Sequence, residues 1–203
     1  MSISQYTLYE NDLPTDIEFS DCIAIDTETM GLDYRRDRLC LVQISNGDDH
    51  AHLIQIKEKT SYPALAKVLK NKNIKKIFHY ARFDLAAIQK NMGIYCENIY
   101  CTKIASKLVR TYTDKHGLKE LIKEFVGIDI SKQYQSSDFG GELSQAQLKY
   151  CANDVLYLHK INKSLNQILM RENRMKLYEN TINFIQTRVE LDLASFKEDI
   201  WAH

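Results

Sequence analysis

The sequence predicts an α/β protein, with a mixed central β-sheet flanked by helices and further helices at the C-terminal end. Three observations carry this expectation. Short β-prone runs fill the first 56 residues, strand-like and helix-like segments then alternate, and the second half spaces its apolar residues near 3.6.

Residues 5–10, 22–28, 39–46 and 50–56 read as strands, separated by turn-forming stretches such as Ser45-Asn46-Gly47-Asp48. Pro63 opens a helix over 63–69, where proline suits an early position. A strand over 76–80 leads into a helix over 82–91 that Gly93 ends. Helices follow over 102–110, 118–126 and 144–160; Gly127 stops the second, and Ser144 with Gln147 forms a capping box for the third. From residue 161 onward there is neither Gly nor Pro, and Ile168, Met175, Ile182 and Val189 recur every seven residues. Such a stripe packs a helix either onto its own domain or against another subunit.

Composition narrows the function classes. With 203 residues, 44% of them hydrophobic and 27% charged, the chain can bury a core. Seven Gly and two Pro exclude collagen-like and Pro/Gly-rich disordered chains. No apolar run nears the ~18 residues of a membrane helix. The first twenty residues lack a basic segment followed by an apolar one, so the expectation is a cytoplasmic protein without a signal peptide. Five cysteines without Cys-x-x-Cys spacing suit a reducing compartment. The balance of 27 basic and 27 acidic residues argues against a protein that lives on long duplexes, which are usually held by basic surfaces.

Three short motifs carry chemistry. In Ile23-Ala24-Ile25-Asp26-Thr27-Glu28, an apolar strand ends in two carboxylates two residues apart, so both project from one face. Like charges held together on a half-buried strand repel, and a divalent cation with oxygen ligands is the simplest compensation. Asp84 falls in the first turn of its helix, where a carboxylate also suits the helix dipole. Tyr150 and Asp154 are spaced i, i+4, which stacks a phenol and a carboxylate on one helix face.

Taken in order, these motifs resemble those of the DEDD superfamily of 3′–5′ exonucleases. Asp26-x-Glu28 matches the first, His79-x-x-x-x-Asp84 the second and Tyr150-x-x-x-Asp154 the third. The tyrosine places the resemblance in the ribonuclease D branch, because Lys149 stands where the other branch has histidine. The segments Arg38 to Ile44, His116-Gly117-Leu118-Lys119 and 132–139 also resemble ribonuclease D. Among stand-alone members the chain looks most similar to the nano-RNase C type, small enzymes that remove short oligoribonucleotides and form closed rings.

The resemblance implies a ribonuclease H-like fold and a single exonuclease domain over 1–203, with a catalytic core over 1–160 and a helical extension over 161–203 that is a candidate oligomer contact. It implies that Asp26, Glu28, Asp84 and Asp154 hold two Mg²⁺ or Mn²⁺ ions and that Tyr150 contacts the attacking water. Leu32 then either wedges against terminal bases or packs its own loop. His79 either contacts phosphate or sugar or is a core histidine, and Lys132 either lies near the scissile phosphate or is solvated. The implied partners are short single-stranded RNA, with DNA as an alternative, and further copies of the chain in a ring such as an octamer.

Overall fold

Strand β2 (Cys22–Thr29) divides the molecule into two layers, and its alternation explains both. Ile23 and Ile25 enter one apolar core, while Ala24 between them enters the other. The structure, a computed structural model, describes residues 5–33, 35–57, 61–130, 137–196 and 200.

Along the chain the elements are β1 (Gln5–Glu10), β2, β3 (Leu39–Ser45), β4 (His50–Gln55), α1 (Pro63–Lys70), β5 (Lys75–Phe78), α2 (Ala81–Met92) and β6 (Ile99–Cys101). Then come α3 (Thr102–Val109), α4 (Leu118–Val126), α5 (Gln145–Leu156), α6 (Leu158–Arg171), α7 (Met175–Asn183) and α8 (Ile185–Leu193). The strands form one mixed sheet in the order β1-β4-β3-β2-β5-β6. β2, β3 and β4 are antiparallel neighbours, whereas β5 and β6 run parallel to β2, and β1 runs parallel to β4. This is the mixed α/β architecture, with a central sheet flanked by helices, that the sequence predicts.

Every residue of β3 is buried, as expected of a central strand covered on both faces. Helix α2 lies on one face with α8 packed against it, and Leu85 and Val189 share a core with Ile23, Ile25 and Val42. Helices α5 and α6 cover the other, where Cys151, Val155 and Leu158 meet Ala24, Leu41 and Ile77. β5 pairs with β2 only from Cys22↔Lys75 to Ala24↔Ile77, so β2 runs on past the last of these pairs.

Helix ends follow local chemistry where the sequence supplies it. The Ser144 side chain accepts from the Gln147 amide and the Gln147 side chain accepts from the Ser144 amide, which is the expected capping box. Gly93 and Gly127 end α2 and α4 in the left-handed conformation at φ 65° and 78°.

Two expectations differ in detail. The helix read over 144–160 breaks at Tyr157 (φ −100°, ψ −8°), because α5 lies on β2, β3 and β4 while α6 turns away to pack on α3 and α4. The strand read over 76–80 stops at Phe78, and Tyr80 turns the chain into α2 through a left-handed conformation at φ 70°. In the C-terminal helices, Tyr178, Ile185 and Val189 lie in the cores, whereas Met170 and Leu177 are exposed. Among the described residues, no helix is long and apolar enough to cross a membrane.

Candidate active site

Asp26 and Glu28 continue the face of β2 that Ala24 begins, which is the face covered by α5. The turn spacing of α5 then brings Asp154 onto them. Oxygens of Asp26, Glu28 and Asp154 all lie within 4.8 Å of one another. Tyr150, one turn earlier on α5, lines the same cleft. Thr27 points to the opposite face, under α2, where its hydroxyl donates to Asp84 Oδ1 at 2.8 Å. Asp84 is therefore buried behind the other three carboxylates and is not one of the oxygens within that 4.8 Å group.

The electrostatics follow from this crowding. Burial raises the pKa of Asp26 to about 7, against a hydrogen bond from the Thr27 backbone that lowers it. Glu28 is pushed well up by burial and then by the charges of Asp26, Asp154 and Asp84. Burial and Asp26 likewise raise Asp84, and burial with Asp26 and Asp84 raises Asp154. The Tyr150 phenol rises too, through burial first and then Asp154, Glu28 and Asp26. Four carboxylates that hold their protons this tightly are poorly stabilised by protein groups alone. Their all-oxygen donor set fits a hard divalent cation such as Mg²⁺ or Mn²⁺.

The surrounding cleft measures about 280 Å³. Leu32 stands at its rim 86% exposed, so it does not pack its own loop. His79 lines the cleft at the end of β5, and its Nδ1 meets Thr102 Oγ1 at 2.9 Å. Thr102 already donates its hydroxyl proton to the Phe78 carbonyl at 3.2 Å, so Nδ1 is the donor. Gly117, Leu118 and Lys119, from the segment that resembles the ribonuclease D helix start, form another wall. Lys132 lies outside the described residues.

Several contributors were not singled out by sequence reasoning. Thr27 sits between two acids in the motif, and its contact with Asp84 depends on a helix 57 residues away. Gln43 pairs with Asp26 across the β2–β3 ladder and is fully buried on the same face. It neighbours Cys151, whose thiol donates to Glu28 Oε1 at 3.9 Å. A lone amide in the otherwise apolar run Leu39 to Ile44 was the available signal. Tyr80 and Lys103 also line the cleft, with the Lys103 ammonium 4.0 Å from the Tyr80 ring centroid.

The arginines near Leu32 are paired rather than directed at the site. Arg35 bonds Asp33, Arg36 bonds Asp37, and Arg38 donates to the carbonyls of Ile56 and Gly140.

Brucella melitensis NrnC with bound Mg²⁺ superimposes with a TM-score of 0.93 at 50% identity, covering 98% of this chain and 99% of that one. The same Brucella protein bound to pGG gives 0.93 at 51% identity, with 98% of each chain covered. DNA polymerase I of Aquifex aeolicus is 33% identical over 154 residues, 75% of this chain and 25% of the relative. Ribonuclease D of Acidiphilium cryptum is 29% identical over 154 residues, 75% of this chain and 39% of the relative. The chain thus spans between a quarter and two fifths of these two curated relatives. Residues 7–170 match the family model of the 3′–5′ exonuclease domain. That match runs from β1 to the last turn of α6 and takes in every element that carries a candidate ligand, so the chain belongs to the 3′–5′ exonuclease family.

Proposed function

We propose that this protein is a cytoplasmic, metal-dependent 3′–5′ exoribonuclease that hydrolyses short single-stranded oligoribonucleotides to nucleoside 5′-monophosphates. The observation that carries the reading is the meeting of Asp26, Glu28 and Asp154 within 4.8 Å, with Tyr150 lining the same cleft. The Brucella relative solved with Mg²⁺ and with pGG supports both the cation and a short nucleotide ligand. A cleft of about 280 Å³ and a neutral charge balance favour short substrates over long duplexes.

Asp26, Glu28 and Asp154 would hold divalent cations, with Asp84 completing the set from behind. Bound in pairs, such ions lower the pKa of a water and stabilise charge on a leaving oxygen. The protein's own part is to crowd the carboxylates, to fix Asp84 through the Thr27 hydroxyl and to orient the attacking water through Tyr150. Burial and three neighbouring carboxylates raise the phenol in the metal-free site, which favours orientation of the water over proton abstraction.

The test is Mn²⁺-dependent digestion of 5′-labelled RNAs from two to about twenty nucleotides, with Asp84→Ala as control and matched DNA alongside. Fast dinucleotide cleavage with longer RNA persisting is the expected result. Equal laddering of long RNA and DNA would replace the reading with a general exonuclease.

The reading extends to a homo-oligomer, in the form of a closed ring such as an octamer. Met170 and Leu177 stay exposed on α6 and α7, which supports an apolar contact there. Leu177→Glu should then lower the mass seen by light scattering. An unchanged mass would remove this face from the assembly.

A further inference from the structure

Gln43 is fully buried within β3, and among the described residues neither its amide nitrogen nor its amide oxygen meets a hydrogen-bond partner. A buried amide without partners costs stability that Met or Leu at the same place would keep. Packing therefore gives no reason for glutamine here, but its surroundings do. Gln43 pairs with Asp26 across the β2–β3 ladder, and Glu28 lies two residues further along the same face, opposite Leu41. Helix α5 covers that face and brings in Cys151, fully buried and next in sequence to Tyr150. The Cys151 thiol donates to Glu28 Oε1 at 3.9 Å, and the Gln43 amide neighbours the same thiol. Neither Gln43 nor Cys151 is among the residues that line the carboxylate cleft.

We propose that Gln43 is a positioning residue for metal binding: its amide donates to the Cys151 sulfur, and the Cys151 thiol donates in turn to Glu28, which holds that carboxylate toward the cation. The proposal rests on the metal-dependent reading above and deepens it. The chemistry of the three groups sets the direction of the chain. Gln43 supplies two N–H donors, Cys151 has one weak donor and a weakly accepting sulfur, and an ionised Glu28 only accepts. Hydrogen bonds behind a ligating carboxylate fix its orientation, and removing them weakens metal binding by about 10–100-fold. An amide that stays out of the cleft can thus act on the ion through the ligand it steadies.

The test is Mn²⁺ titration by calorimetry, with metal-free Tm, on the wild-type protein, Gln43→Met, Cys151→Ala, Cys151→Ser and the double variant Gln43→Met/Cys151→Ala. Gln43→Met should bind Mn²⁺ about tenfold more weakly. Its metal-free Tm should hold or rise, because no unpartnered amide is left in the core. Cys151→Ala should weaken binding to a similar degree, and Cys151→Ser, which keeps a hydroxyl donor, should recover most of it. The double variant should bind no more weakly than either single one, as expected of residues in one chain. Wild-type affinity in Gln43→Met would overturn the positioning role. Losses that add in the double variant would also overturn it, since Gln43 would then act without Cys151. Should Gln43→Met not fold, the Cys151 variants decide: wild-type affinity in Cys151→Ala removes the chain. A wild-type protein that binds no Mn²⁺ would instead overturn the metal-dependent reading beneath the proposal.

Discussion

The Thr27 hydroxyl donates to Asp84 Oδ1 at 2.8 Å, joining the reverse face of β2 to the first turn of α2. The bond lowers the pKa of Asp84 against the burial and the Asp26 charge that raise it. It also fixes a buried carboxylate that stands behind the three clustered ones.

Thr27→Val keeps the shape and removes the donor. The buried carboxylate then loses its side-chain donor and keeps only the backbone hydrogen bonds from Thr27 and Asp84, at a cost of about 1–3 kcal/mol. Asp84 should hold its proton to higher pH, so Mn²⁺ binding by calorimetry should weaken and the acid limb of the pH–rate profile should move upward. Unaltered Mn²⁺ affinity in this variant would mean that Thr27 serves packing alone.

Tyr150→Phe removes one hydroxyl from the cleft. Turnover should fall by about 10²-fold or more while Mn²⁺ affinity and substrate KM change little, since positioned proton-transfer and orienting groups contribute on that scale. Wild-type turnover would exclude the proposed contact with water.

The carboxylates make metal-free stability depend on pH in a defined direction. Asp26 is raised to about 7, and Glu28, Asp84 and Asp154 are raised as well, each with burial as the first cause. A carboxyl whose folded pKa exceeds its unfolded value stabilises the fold fully below the unfolded pKa of about 4 and loses that stabilisation as pH rises through the folded value. Melting in EDTA should therefore give a lower Tm at pH 8 than at pH 5.5. Saturating Mn²⁺ should raise Tm more at pH 8, where it meets ionised ligands. A metal-free Tm that climbs over this range would contradict the assignment.

Asp192 ties the C-terminal region to α2. Arg82 and Arg188 donate to its Oδ1 at 2.6 Å and 2.7 Å, and the side chain is almost fully buried. Asp192→Asn leaves both guanidinium groups facing a neutral amide. Thermal melts should show a loss of roughly 3 kcal/mol, on the order of 10 °C. A change of less than about 2 °C would show that the pairs contribute little.

Much of this was legible because local rules and the fold agree. The alternation of Ile23, Ala24 and Ile25 already places Asp26 and Glu28 on one face, and i, i+4 spacing does the same for Tyr150 and Asp154. Ser144, Gly93 and Gly127 mark their helix ends by their own chemistry. What escaped was decided by distant parts of the chain. Tyr157 carries no breaker, and the break there follows from α5 and α6 packing on different partners. Asp84 matches a motif in sequence, but its place behind the cluster depends on Thr27 and the short β5. Lys103 reads as an ordinary helix lysine until α3 is seen against Tyr80.

The carboxylate cluster draws on the single strand β2 and on a helix that begins only at Gln145. During synthesis the N-terminal elements emerge first. A growing chain therefore carries Asp26, Glu28 and Asp84 long before Tyr150 and Asp154 leave the ribosome, and until then it has no complete ligand set. The ligand set is thus completed only after α5 has been made, more than a hundred residues behind its first members.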